Sequence, residues 1–221
     1  MGLFDWFRRP TPATAARVSP GTDPAGVPPE APVTGTPSAH GLPAELSGTW
    51  TIDPSHTSVG FIARHAMVTN VRGTFDEIEG VGVLDTVNPA ASTATVTMQA
   101  ASINTNSEDR DVHLRSADFF DVETYPELRF VSTSIGPSGS MTLSVAGDLT
   151  VKDVTRRVTV DLTFTGVARD PSGSLRAGFE GETSVDRRDW GLVWNTALET
   201  GGVLVSDRIR LVFDVSAIRE E

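Results

Sequence analysis

The chain has 221 residues, with 18 basic against 29 acidic side chains, a formal charge of −11 and no cysteine. The acidic balance excludes a phosphate-tracking nucleic-acid binder, which needs a basic face to release counterions. The missing thiols exclude a disulfide framework, a thiolate metal site and a cysteine nucleophile.

The first nine residues, MGLFDWFRR, set Leu3, Phe4, Trp6 and Phe7 ahead of Arg8 and Arg9. They suit either a weak membrane-surface or protein contact or an unstructured start with stray aromatics, because nine residues bury too little apolar area to anchor alone. Trp6 stands where a myristoylation pattern needs Ser or Thr. No apolar core of a secretory signal and no membrane-spanning apolar run occurs, so a cytoplasmic location is expected, with membrane association through residues 1–9. Residues 1–46 hold nine of the fourteen prolines and no hydrophobic period. Such a composition cannot offset its ordering entropy, so residues 10–46 read as a disordered linker and residues 47–221 as the folded domain.

From Trp50 onward the period is two. Val59, Phe61 and Ala63 share one phase, as do Ala94, Val96 and Met98. Met141, Leu143 and Val145 share another that continues to Leu149 and Val151. Val158, Val160, Leu162 and Phe164 follow, then Leu175, Ala177, Phe179 and Val185, and finally Val203, Val205, Ile209, Leu211, Phe213 and Val215. This alternation marks antiparallel strands with one face in a core and one in water. Asn88-Pro89, Gly136-Pro137-Ser138-Gly139, Asp170-Pro171-Ser172-Gly173 and Gly201-Gly202 read as the turns between them. About eight strands in this rhythm predict an all-β fold, a sandwich or an up-and-down barrel. Eight strands either fill their interior with their own side chains or leave room for one small ligand.

One segment breaks the rhythm. In Asn106–Phe130, Asn106 or Ser107 is placed to cap a short helix whose first turn carries Glu108 and Asp109, running to about Ser116. The segment also concentrates acids, bases and His113. His56, His65 and His113 with Asp109, Asp111 and Asp121 have zinc-ligand atom types but no metal-binding spacing, so hydrogen-bonded structural histidines are expected and no metal. No nucleophile elbow occurs, and Gly80-Val81-Gly82 lacks the rest of a phosphate loop. Arg110 and Asp111, with His113 and Asp121, are expected to pair at the rim, Arg110 reaching a carboxylate such as Asp118 or Asp121. Phe119, Phe120 and Tyr125 follow the helix and suit either plain core or a lid.

The motifs then resemble a known family. Trp50-Thr51-Ile52-Asp53-Pro54-Ser55-His56-Thr57, Phe61, Arg64-His65, Gly73 and Phe75 are similar to the opening of YceI-like proteins. Ser102-Ile103-Asn104-Thr105, Arg110-Asp111, His113-Leu114, Asp118-Phe119-Phe120-Asp121 and Tyr125-Pro126 are similar to their centre. Gly147-Asp148-Leu149-Thr150-Val151 and Asp186-Arg187 with Trp190-Gly191 are similar to their later motifs, with Lys152-Asp153 in place of His-Gly and Trp190 in place of Phe. The resemblance covers residues 48–218. It implies an antiparallel lipocalin-like barrel of about eight strands holding an isoprenoid lipid or an isoprenoid quinone, with no enzymatic activity and no cofactor beyond that ligand.

Resemblance and strand phase together name the ligand-binding candidates. Val59, Phe61, Val96, Met98, Phe130, Leu143, Leu162, Phe164, Phe179 and Phe213 are expected to line the tunnel. His65, Phe119, Phe120 and Trp190 are expected at its mouth; a filled core would use the same residues. The expected partners are an isoprenoid small molecule, a membrane surface through residues 1–9 and a second copy in a homodimer. Two rivals stay open: a barrel hydrolase or isomerase using His65 or His113 as base beside a carboxylate, and a filled-barrel interaction module.

Overall fold

The computed structural model describes residues 41–199 and 201–221, so the aromatic start and residues 10–40 of the expected linker lie outside the described residues. The alternating segments form strands β1 (Gly48–Ile52), β2 (Ser58–His65), β3 (Thr69–Phe75), β4 (Ile78–Leu84), β5 (Thr93–Gln99) and β6 (Ile103–Asn104). After the α-helix α1 (Glu108–Arg115) come β7 (Glu127–Gly139), β8 (Thr142–Val151), β9 (Val154–Arg169), β10 (Leu175–Asp186) and β11 (Arg208–Arg219). Eight of them close a ring in the order β1-β4-β5-β7-β8-β9-β10-β11, with β11 paired back to β1. Every pairing is antiparallel, and closure leaves these eight strands no free sheet edge. Among the described residues the fold is therefore an all-β barrel with one short helix: the periodicity predicts the strands, and of the sandwich and the barrel it leaves open, the structure is the barrel that the family resemblance implies.

The remaining strands, β2, β3 and β6, hang from the same edge of β11 that β1 uses. Ile52 pairs with Ala217 and Ser58 with Asp214, so one long strand serves two short ones in succession. The corner between them is built by Asp53. Its Oδ1 accepts from the Ser55 N–H at 3.0 Å and the Ser55 hydroxyl at 2.8 Å, and its Oδ2 meets His56 Nδ1 at 2.7 Å and the Arg176 guanidinium. The Thr57 hydroxyl donates to the Ser216 carbonyl and accepts the Ser216 N–H, covering the β11 edge where no strand lies.

Four expectations are corrected. Residues 41–46 are not linker: Leu42 and Leu46 are 1 % and 0 % exposed and pack under the barrel, a burial that the surrounding Pro-rich composition hides. The Gly136–Gly139 turn signal lies inside β7, where register shifts at Ser132/Ser134 and Pro137/Gly139 absorb the proline; the chain reverses at Ser140 and Met141, whose φ is +62°. Val203 and Val205 precede β11 and make only isolated bridges, because that stretch turns to meet the end of β2 through Ala66 N–H to Leu204 O and Ser206 N–H to Arg64 O. Finally, Ser107 occupies the N-cap of α1 without a side-chain capping bond.

Candidate functional site: an apolar barrel cavity

The inward faces of the ring enclose a cavity of about 240 Å³. Its wall takes side chains from every strand except β6, and among the described residues no charged side chain lines it. The β4–β5 wall is thin. Gly82 and Ala94 present almost no side chain inward, whereas Val81 and Val83 on the alternate phase are exposed outside. The space therefore reaches the strand backbone there, and this combination of apolar wall and missing side chains makes an interior hollow instead of filled.

Of the expected lining residues, Val59, Val96, Met98, Phe130, Leu143, Leu162, Phe179 and Phe213 do line the cavity. Phe61 lies beside it: its ring rests on Gly73 and stands 6.2 Å from Phe75, which does line the space. Phe164 keeps the phase of Val160 and Leu162 but falls past the end of the hollow, packed 5.6 Å from Phe179. The alternation identifies a face, and how far along that face the hollow extends is decided by what plugs its ends.

The helix end is plugged by side chains that do not reach the cavity wall. Phe119 packs on His113 and Trp194 at 5.1 and 5.3 Å, while Phe120 meets Phe75 edge-on at 5.8 Å. Phe120 thus sits behind a cavity residue, and Phe119 belongs to the rim. Trp190 is 4 % exposed and donates its indole N–H to the Leu149 carbonyl at 3.0 Å, which fixes it in the core cluster under α1.

The polar groups of α1 form a network next to this plug. Asp111 Oδ1 accepts from the Thr105 N–H at 2.9 Å and from the Thr105 hydroxyl; Arg110 Nε donates to that same hydroxyl at 2.6 Å and its Nη2 to the Thr105 carbonyl at 2.7 Å. Asp118, one expected partner of Arg110, lies 2.9 Å from His113 Nε2. Asp121 holds the following turn through its main chain, with φ +50° and its carbonyl accepting from Thr124 and Tyr125. Burial pushes the His65 imidazole below its ordinary pKa, and the nearby Arg110 charge adds to that. Arg110 is itself lowered by burial. His65 and the α1 cluster therefore share one partly desolvated region outside the hollow.

The family model for the YceI-like domain matches residues 50–217. The chain belongs to the YceI-like family. A UPF0312 protein of Staphylococcus aureus (strain MSSA476) is 38 % identical over 170 residues, covering 76 % of this chain and 95 % of the relative. The crystal structure of BcnA from Burkholderia cenocepacia superposes with a TM-score of 0.65 at 25 % identity, covering 75 % of this chain and 98 % of that one. A polyisoprenoid binding domain from Saccharophagus degradans aligns with a TM-score of 0.59 over 77 % of this chain and 98 % of the other; at 14 % identity it speaks to the fold alone.

Two glycines of the YceI-like motifs acquire a reason in this barrel. A Cβ at Gly147 would lie 2.3 Å from the Phe130 ring, and one at Gly73 would lie 2.4 Å from the Phe61 ring. Each glycine lets an aromatic ring lie flat on its neighbouring strand, and the Gly147 contact keeps Phe130 against the wall. The departure at Lys152-Asp153 is also local. Val151 pairs with Val154, leaving a two-residue hairpin loop with both φ values positive, +50° and +59°, the turn type that favours Asn-Gly.

Several lining residues escaped sequence reasoning, among them Trp50, Ile52, Phe75, Leu128 and Ile135. Trp50 and Ile52 alternate and could have been read; β4 could not, because glycines face inward there and valines outward.

Proposed function

We propose that this YceI-like barrel is a noncatalytic carrier that binds, transports or stores an isoprenoid lipid or isoprenoid quinone with its branched chain in the cavity. The observation that carries the reading is the 240 Å³ hollow walled by strands without a charged side chain. Each Å² of apolar chain removed from water there contributes about 25 cal/mol, so affinity needs no directed chemistry. Cavities of this composition suit apolar ligands fixed by few polar groups. A noncatalytic role is supported by where the acid/base groups stand. The His113–Asp118 pair is at the rim with Asp118 half-exposed, and His56 pairs with Asp53 at the outer corner, both away from the cavity wall.

The test is organic-solvent extraction of the purified protein followed by mass spectrometry, with thermal stability measured on adding linear prenols. The expected result is an apolar isoprenoid in the extract and a raised melting temperature; an empty extract together with no stabilisation would remove the carrier reading.

A further inference from the structure

Leu42 and Leu46 precede the stretch matched by the YceI-like family, residues 50–217, yet they are among the most deeply buried side chains of the protein. They share a cluster with Trp50, Ile135, Leu143 and Val145. Those four line the cavity, whereas Leu42 and Leu46 do not, so Trp50 stands between the hollow and the two leucines.

The indole is held, not merely packed. Its Nε1–H donates to the Leu46 carbonyl at 2.8 Å in buried surroundings, and that carbonyl is presented by the short 3-10 turn Ala44–Leu46. The turn is tied to the barrel on both sides. Arg219 Nη1 donates to the Glu45 carbonyl at 2.8 Å, and the Ser47 hydroxyl meets Thr86 Oγ1 at 2.8 Å and accepts the Thr86 N–H at 3.0 Å. Moving the ring would strand a buried N–H and open a void over two leucines, both unfavourable. The charged cluster of Arg110, Asp111 and His113 lies on α1, at the opposite end of the strands. The register of β4 shows this: Gly82 beside Trp50 leads up to Ile78 beside Met98, and Gln99 ends β5 shortly before α1. An apolar chain whose polar head faced that cluster would lie tail-first against Trp50.

We infer that Trp50, braced by Leu42 and Leu46, is the floor of the cavity and sets the longest isoprenoid chain this barrel accepts. The inference rests on the proposed function for its ligand class and adds a specificity-determining residue to it. Leu42, Leu46 and Ser47, which ties the turn to Thr86, lie ahead of the residues that the family model matches, so the limit depends on them as well as on Trp50.

The experiment measures binding of linear prenols of increasing length to the full-length protein by native mass spectrometry, for wild type, Trp50→Ala, Trp50→Phe and Leu46→Ala. The wild type is expected to show a length limit. Trp50→Ala moves that limit to longer homologues, binding the first excluded prenol at least about tenfold more tightly, a factor that burying about two more methylenes supplies. Trp50→Phe keeps the limit, because a ring still fills the floor. An unchanged limit in a folded Trp50→Ala protein overturns the inference while leaving the carrier reading in place. Should Trp50→Ala fail to fold by circular dichroism, Leu46→Ala decides, since it keeps the indole and lets it sink: a longer limit supports the floor and an identical one overturns it. Binding of no prenol by the wild type overturns the ligand class, and the inference with it.

Discussion

At the floor of the barrel Trp50, Leu42 and Leu46 meet in an apolar cluster fastened by one indole hydrogen bond. At the helix end Phe119, Trp190 and Leu192 share their space with Arg110, Asp111, His113 and the buried Arg187. The first closure costs little to desolvate and gains from every buried carbon. The second must keep ions and amides paired inside a low-dielectric region, so its stability hangs on individual partners. One end is a fixed floor, and the other is held by contacts that proton and ligand chemistry can change.

The largest test of that contrast is Arg187, 5 % exposed, which donates to the carbonyls of Ser206 and Leu192 and to Asp207. Its guanidinium is lowered from its ordinary pKa by burial, so the pairing only offsets a desolvation cost. Arg187→Leu is expected to lose about 3–5 kcal/mol in urea denaturation, because it strands the two buried carbonyls of Ser206 and Leu192, each worth about 1–3 kcal/mol, while Asp207 keeps Arg188. A loss below about 1 kcal/mol would mean the network is decorative.

Leu46→Ala attacks the floor by cavity formation alone. A fully buried leucine truncated in a packed cluster costs about 3 kcal/mol, read by urea denaturation. Asp111→Ala should fall below both. It leaves the buried Thr105 N–H and hydroxyl without their acceptor, worth about 1–3 kcal/mol. Fraying should be confined to α1 and β6 in hydrogen exchange.

How much of this was legible depended on whether a residue's role was written in its neighbours. Val158, Val160 and Leu162 announce a lining strand because valine and leucine recur on one phase of β9. In β4 the phase is inverted, with Gly82 at the cavity and Val81 and Val83 exposed outside, so the hollow there is made by an absent side chain that no hydrophobic pattern records. Helix α1 could be found from its charges, but the choice of Thr105 as the partner shared by Arg110 and Asp111 is tertiary. Leu42 and Leu46 were hidden most completely. Their flanking residues have the composition of a linker, and only the space beneath Trp50 makes them core.

The smallest and most discriminating effect is the order in which the two ends loosen on acidification. The folded His65 has its pKa below the ordinary value, so below about 6.5 the unfolded chain takes up a proton that the folded helix end resists. Stability there falls as pH drops through that value. Near the floor, Arg176 holds the Asp53 carboxyl well below the usual carboxylate range, and the Ser172 hydroxyl and then Arg176 hold Asp170 at about 2. Depressed carboxylates stabilise fully above about 4 and lose that contribution only as pH falls further. Between about pH 6 and 4, hydrogen exchange should therefore accelerate in β2, α1 and residues 191–199 while β1, β10 and the 41–47 turn stay protected. Simultaneous loosening of both ends, or a floor that opens first, would show that the two closures are not energetically separate and that the barrel responds to protons as one unit.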